Sequence, residues 1–419
     1  MSTAFKPADI LLPDNTDMNK WSVIACDQYT SEVQYWKDLE NEIGNEKSTL
    51  KLILPEVYLE DNDVSDRIEN IHAQMNEYME NGVFKEYKNS MIYVERVQGN
   101  GILRCGVVGM IDLEEYDFSK GSTSQVRATE ATVIERIPPR IKVREGAPLE
   151  LPHIMILIDD ENRTAVEPLC DKKADMQKLY DFDLNCGGGS ISGYLMNDDM
   201  TKAFESALDK LGDVDAFREK YGRDDVLLYA MGDGNHSLAT AKTFYENLKK
   251  ANPDKDLSGH PARYALVEIV NLHSPALDFE AIHRIVEVAD TDALVEKMTE
   301  VLGLSDEKTG QEFTYVIGDK EYTANIGKQT SNLTVGSLQN FLDDYLKENG
   351  GKIDYIHGTD TLKKLVSETK NSIGFILPDM DKSELFPTVI KDGALPRKTF
   401  SMGHAEDKRY YIECRKIAK

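Results

Sequence analysis

The residues of this chain best equipped for chemistry stand together at Gly232, Asp233, Gly234, Asn235, His236 and Ser237, where a carboxylate, a carboxamide, an imidazole and a hydroxyl interleave with two glycines. The run before them, Asp225 to Met231, reads as a buried strand, and Leu238, Ala241, Tyr245 and Leu248 after them recur as the inward face of a helix. Gly232 to Asn235 is then a turn that delivers its polar groups to a helix N-terminus. Backbone N–H groups and the positive end of the helix dipole meet there, which suits a phosphate or a carboxylate. Gly232 and Gly234 allow close backbone approach. In that setting Asp233 would hold magnesium or orient the histidine, His236 would move a proton or bond a phosphate, and Ser237 would touch the ligand or cap the helix. Capping accounts for either Asp233 or Ser237 alone. It does not account for a histidine beside two glycines, and the cluster is therefore read as functional.

Other segments are weaker candidates. Gly187 to Gly193 has the GxxxxG spacing of a phosphate loop, but Tyr194 stands where that loop requires a lysine and no buried strand precedes it, so a loop or lid is expected. Thr129, Glu130 and Thr132, followed by Arg136 and Arg140, place one carboxylate and two guanidinium groups on a short stretch. His283 and Arg284 follow a strand-like region, and Lys398 follows Pro396 and Arg397. Taken singly, each of these is structural.

Positioning elements are expected on both sides of the cluster. Val33, Trp36, Leu39 and Ile43 mark an amphipathic helix closed by Gly44, and Val64, Ile68, Ile71, Met75 and Met79 mark a longer one ending at Gly82. Met91 to Val97 and Ile102 to Leu113 are β-rich runs joined through Asn100-Gly101, a hairpin signal. Pro152 is followed by His153 to Ile158, a short continuous apolar run suited to a buried strand. Beyond Asp290, short helices alternate with polar strands, including a helix over Leu338 to Leu346 that ends at Gly350 and Gly351. The expected fold class is α+β, a mixed α/β chain. An N-terminal domain over 1–289 carries the cluster, and a smaller C-terminal α/β domain over 290–419 sends its last segment back to the site.

Composition narrows the function classes. With 74 acidic against 49 basic residues among 419, the net charge of −25 repels nucleic-acid backbones and anionic membrane surfaces. The first residues lack a basic segment followed by an apolar run, and no stretch approaches 18 apolar residues, so a cytoplasmic protein with neither nucleic-acid nor membrane partners is expected. Five scattered cysteines without a CxxC pair argue against a disulfide framework or a zinc knuckle.

Several separated blocks resemble the DUF1015 family of bacterial proteins, from about Val23 to about Thr399. Asp233-Gly-Asn-His236 is similar to that family's Asp-Gly-His-His-Arg block at a strand-to-helix junction, and Glu130 with Thr132, His283 with Arg284, and Pro396 to Phe400 resemble its other blocks. That block is in turn similar to a motif of ParB-like and sulfiredoxin-like proteins, among them free-serine kinases. The resemblance implies a ParB/sulfiredoxin-like core with a mixed sheet, and a kinase-like phosphotransferase or a phosphohydrolase acting on a small hydroxylated metabolite, with serine or phosphoserine the first pair to test. Asp27 or Glu130 would accept the hydroxyl proton. Asp233 and His236 would position magnesium and phosphate, with a nucleotide or pyrophosphate as donor. Gly232, Gly234, Asn235, Ser237, Arg136, Arg140, His283, Arg284 and Lys398 would bind substrate or phosphate. Two departures matter: Asn235 replaces the family's first histidine and Ser237 its arginine, so a cation must come from elsewhere, with Arg136, Arg140, Arg263, Arg284 and Lys398 as candidates. The alternative is a regulatory protein that binds a nucleotide or phosphorylated metabolite without turnover.

Overall fold

The computed structural model describes residues 3–30, 32–132 and 134–418. The chain divides into two compact units. The first comprises 1–128, 132–277 and 404–419, and the second comprises 129–131 and 278–403. The second unit thus begins before residue 290, because the Phe279–Glu287 strand finds its hydrogen-bonding partners in the sheet of that unit. The segment after Gly403 belongs to the first unit.

In the first unit the described residues form a ten-stranded mixed sheet. The expected hairpin is present as Ile92–Val97 paired antiparallel with Leu103–Asp112. Gln177–Asp183 and Ser190–Leu195 extend the sheet on one side of this hairpin, and Tyr264–Asn271 continues it on the other. Met155–Ile158 runs parallel to Tyr264–Asn271 and antiparallel to Tyr229–Asp233. Every residue of the Met155–Ile158 strand is buried, as expected of a short apolar run inside a sheet. The glycine-rich segment is a tight connection between two strands, not a lid. A side chain at Gly189 would collide with the Val97 carbonyl oxygen, and the Gly188 carbonyl accepts from the buried Arg96 guanidinium at 3.0 Å.

Helices cover the sheet where the apolar periodicity places them. Val33–Ile43 buries Trp36, Leu39 and Ile43 and stops at Gly44, and Val64–Glu80 buries Ile71, Met75 and Tyr78. These side chains join Trp21, Leu52, Leu54, Leu149 and Tyr411 in one hydrophobic core. The second unit has a six-stranded sheet among its described residues, ordered 320–325, 312–317, 372–376, 279–287 and 352–357, with 400–402 also pairing to 279–287. Its Thr334–Asn349 helix, longer than the expected Leu338 to Leu346, ends at Gly350. The fold is α+β. No helix is long and apolar enough to cross a membrane among the described residues.

Candidate active site

The strand that leads into the cluster, Tyr229–Asp233, starts later and ends later than its apolar run suggests. Residues 226–228 lie outside it, while Leu228 and Tyr229 both donate their backbone N–H to the Gln125 carbonyl at 3.1 Å. Asp233 is therefore a strand residue, opposite Met155, and the turn shrinks to Gly234. Gly234 adopts φ +80°, a left-handed conformation, and a Cβ there would lie 3.1 Å from the Ile154 Cα. The helix begins at once as Asn235–Ala251, with Gly234 as its N-cap and no side-chain cap. Gly234, which has no side chain, occupies the N-cap position, so neither Asp233 nor Ser237 is the N-cap residue.

One cavity of about 150 Å³ opens beside this N-terminus and is lined by His236, Ser237, Thr240, Asp27, His153, Tyr411, Cys26, Glu56 and Arg140, with the paired Arg144 and Glu150 and apolar residues completing its wall. The Val23–Ile24 strand places Asp27 there by pairing with Tyr410–Tyr411, and the Cys26 N–H donates to the Tyr411 hydroxyl at 3.1 Å. His153, just ahead of the Met155–Ile158 strand, bridges the two. Its Nε2 is 3.3 Å from Asp27 Oδ2 and its Nδ1 is 2.8 Å from the Tyr411 hydroxyl. Burial by itself would lower the His153 pKa, but the Asp27 carboxylate, helped by Asp233 and Glu56, overrides it and the net shift is upward. Burial would raise the Asp27 pKa, yet His153, Gln28 and Lys408 hold it below the usual carboxylate range. Asp27 is thus ionised and fixed in place.

Cations flank the cluster. Lys408 Nζ stands 4.0 Å from Asp233 Oδ2, an oxygen with no hydrogen-bond partner among the described residues. Arg140 pairs with Glu56 at the cavity wall and also donates to the Arg136 carbonyl at 2.5 Å. Arg136 itself is exposed and does not line the cavity. Arg263 is engaged by Asp112 at 2.6 Å. The nearby cations are therefore Lys408, Arg140 and Arg144, the last paired with Glu150 at 2.6 Å. The Cys26 thiol also lines the cavity, where burial pushes its pKa far above its ordinary value.

The remaining expected site residues belong to the second unit. Glu130 forms a parallel bridge with Leu395, and burial raises its pKa although Lys398, the N–H groups of Lys398 and Thr399, and Arg284 act against the rise. His283 accepts the Leu377 N–H on Nδ1 at 3.3 Å and bonds the Thr359 hydroxyl through Nε2 at 3.2 Å, while burial lowers its pKa. Arg284 is fully buried, bonds Gln339 and the Arg397 carbonyl, and is pushed down to about 10 by burial. Lys398 has φ +56°, uncommon for a residue with a side chain.

For a divalent ion, the described residues hold one group of three possible ligands within 4.8 Å of one another, Asp159, Glu161 and His273, in which Lys220 already bonds both carboxylates at 2.7 and 2.8 Å. Asp233 is not among them. It offers a single oxygen without a hydrogen-bond partner, which fits a magnesium ion only where waters and ligand phosphates complete the shell.

His153, Tyr411, Glu56 and Lys408 were not among the residues expected from sequence. His153 was legible only as the start of an apolar strand, and nothing local marks Tyr411 or Lys408, which reach the site by pairing across the whole length of the chain. Among solved structures the chain is similar to a conserved hypothetical protein from Pyrococcus furiosus, at 12% identity and a TM-score of 0.37 over 73% of this chain and 94% of that one. It is also similar to a free serine kinase in complex with AMP, at 14% identity and a TM-score of 0.39 over 74% and 92%. A third is SbnI with C-terminal truncation from Staphylococcus aureus, at 11% and 0.36 over 73% and 82%. No curated protein matches. The model of one family, a protein of unknown function designated DUF1015, matches residues 6–345, and since that is most of the sequence, the chain belongs to the DUF1015 family.

Proposed function

We propose that the first unit is an enzyme of phosphoryl transfer or phosphate-ester hydrolysis acting on a small hydroxylated metabolite. The observation that carries this reading is the fixed Asp27–His153–Tyr411 chain, which opens on the same cavity as His236 and Ser237 at the start of the Asn235–Ala251 helix. One wall supplies an ionised acceptor for a hydroxyl proton, and another supplies the dipole and donors that favour phosphate. In transfer, the substrate oxygen forms a bond to the terminal phosphorus of a nucleotide or pyrophosphate. The bridging P–O bond breaks, the leaving group keeps the electron pair, and the hydroxyl proton passes to Asp27. Such a transition state asks for positioning and charge stabilisation more than for a strong base, so the low proton affinity of Asp27 is no obstacle. Asp233 would hold magnesium with the donor's phosphates, and the ion would neutralise their charge. Lys408 and Arg140 supply the positive charge that Ser237 does not.

A second reading, a sensor that binds a nucleotide or phosphorylated metabolite without turnover, is favoured by Ser237 standing where the family's block has arginine. Phosphorus NMR of the full chain with magnesium, ATP or pyrophosphate, and a panel that includes serine and phosphoserine separates the two. A new phosphate-ester or free-phosphate resonance, lowered by about 10²- to 10⁴-fold in Asp27→Asn, supports the enzyme. Ligand-dependent thermal stabilisation without any such resonance supports the sensor. Neither effect with any compound overturns both.

A further inference from the structure

Serine is a fully polar substrate, and the cavity is not a fully polar cavity. Away from the polar side formed by Asp27, Glu56, Arg140, His153, His236 and Ser237, its wall includes Leu52, Leu54, Met75, Leu149 and Leu151. All five belong to the main hydrophobic core and are no more than 8% exposed. Leu149 and Leu151 flank Glu150, whose carboxylate is consumed by Arg144 at 2.6 Å, Arg415 at 2.8 Å and the Leu266 N–H at 2.9 Å. That wall therefore offers a ligand methylene and methyl surface, with the nearest charges already neutralised. Small apolar cavities of this volume, about 150 Å³, hold a molecule the size of benzene, or roughly six heavy atoms.

We propose that the cavity selects a short aliphatic alcohol of about four to six carbons, its hydroxyl at Asp27 and its tail against Leu52, Leu54, Met75, Leu149 and Leu151. This deepens the reading of the preceding subsection and rests on it for the hydroxyl's fate, but recognition of the tail needs no phosphoryl donor. The polar end fixes orientation and the apolar wall supplies affinity, the usual division in small-molecule sites. Serine lacks the carbons to use that wall.

The test is binding alone. The full chain, with methyl-labelled methionine and no phosphoryl donor, is titrated with straight-chain primary alcohols from ethanol to octanol and separately with serine, and the Met75 methyl resonance, identified by Met75→Leu, reports occupancy. Affinity is expected to rise roughly fourfold per added methylene up to five or six carbons, as methylene burial predicts, and then to fall. Ala241→Leu, which fills the cavity from the Asn235–Ala251 helix, is expected to abolish the trend. An affinity independent of chain length, an undisturbed Met75 resonance, or serine binding as tightly as pentanol overturns the proposal. If that variant does not fold, the wild-type series still decides. Success here without any phosphorus signal in the transfer assay would leave the apolar-tail site standing and remove only the phosphoryl reading.

Discussion

His236 and His153 sit on one cavity and are expected to fail differently. His236 is half-buried at the first turn of its helix, so His236→Ala is expected to abolish ligand binding or turnover while shifting unfolding by less than about 1 kcal/mol, as near-surface changes do. His236→Asn keeps a hydrogen-bonding group. Retained binding in calorimetry with turnover lost about 10²- to 10⁴-fold would assign it proton transfer, and loss of both would assign it a ligand contact. His153 is buried and paired. Its pKa is raised, so the stability it adds is full below about 6.5, its unfolded value, and is lost as pH rises through the folded value. Asp27 has the opposite sign: its contribution is present above about 3.9 and is lost as pH falls through the depressed folded value. Melting temperature is therefore expected to decline above pH 6.5 in the wild type and to lose that slope in His153→Asn. An unchanged slope in the variant would mean that another group is responsible. At this scale the sequence displayed Asp233 and His236 because they stand next to each other between a strand and a helix. It hid His153 and Tyr411, which lie 258 residues apart and meet only in the folded chain.

Among elements, the strand-to-helix junction is the most constrained. Gly234 needs a left-handed backbone and its Cβ position is crowded by the Ile154 backbone. Gly234→Ala is expected to cost about 1–3 kcal/mol by urea unfolding, the range for a side chain forced into that region. A cost within about 0.3 kcal/mol would show that the turn can rearrange. The hairpin at Ile92–Asp112 and the helices at Val33–Ile43 and Val64–Glu80 were legible because period and turn chemistry agree there. The start of the Tyr229–Asp233 strand was not, because an apolar run does not say which of its residues find a neighbouring strand. The Gly187 to Gly189 segment looked loose for a related reason. Gly189 serves a close backbone approach to Val97, and Gly188 makes room for the Tyr410 ring, which composition alone cannot distinguish from freedom.

At the scale of the molecule, the segment 404–419 decides the integrity of the first unit. Arg409, buried, pairs with Glu268 at 2.8 Å and Glu413 at 2.7 Å, and Tyr180 donates to Glu413 at 2.5 Å. Arg409→Met leaves buried Glu413 without its cation and Glu268 with only Arg104 at 3.9 Å, and is expected to cost about 3–5 kcal/mol in urea unfolding. A loss under about 1 kcal/mol would show that other groups compensate. A division near residue 290 and a returning last segment were expected from the change in pattern. The pairing of Tyr410–Tyr411 with Val23–Ile24 was not, since short strands carry no mark of their partners. That pairing has a consequence for the living cell. Translation at about 5–20 residues per second places roughly 9 to 35 s between the emergence of His236 and that of Tyr411. Throughout that interval a nascent chain has its glycine turn but lacks the hydroxyl that holds His153, so a message cut short before this codon would yield a protein whose Asp27 is present and unanchored.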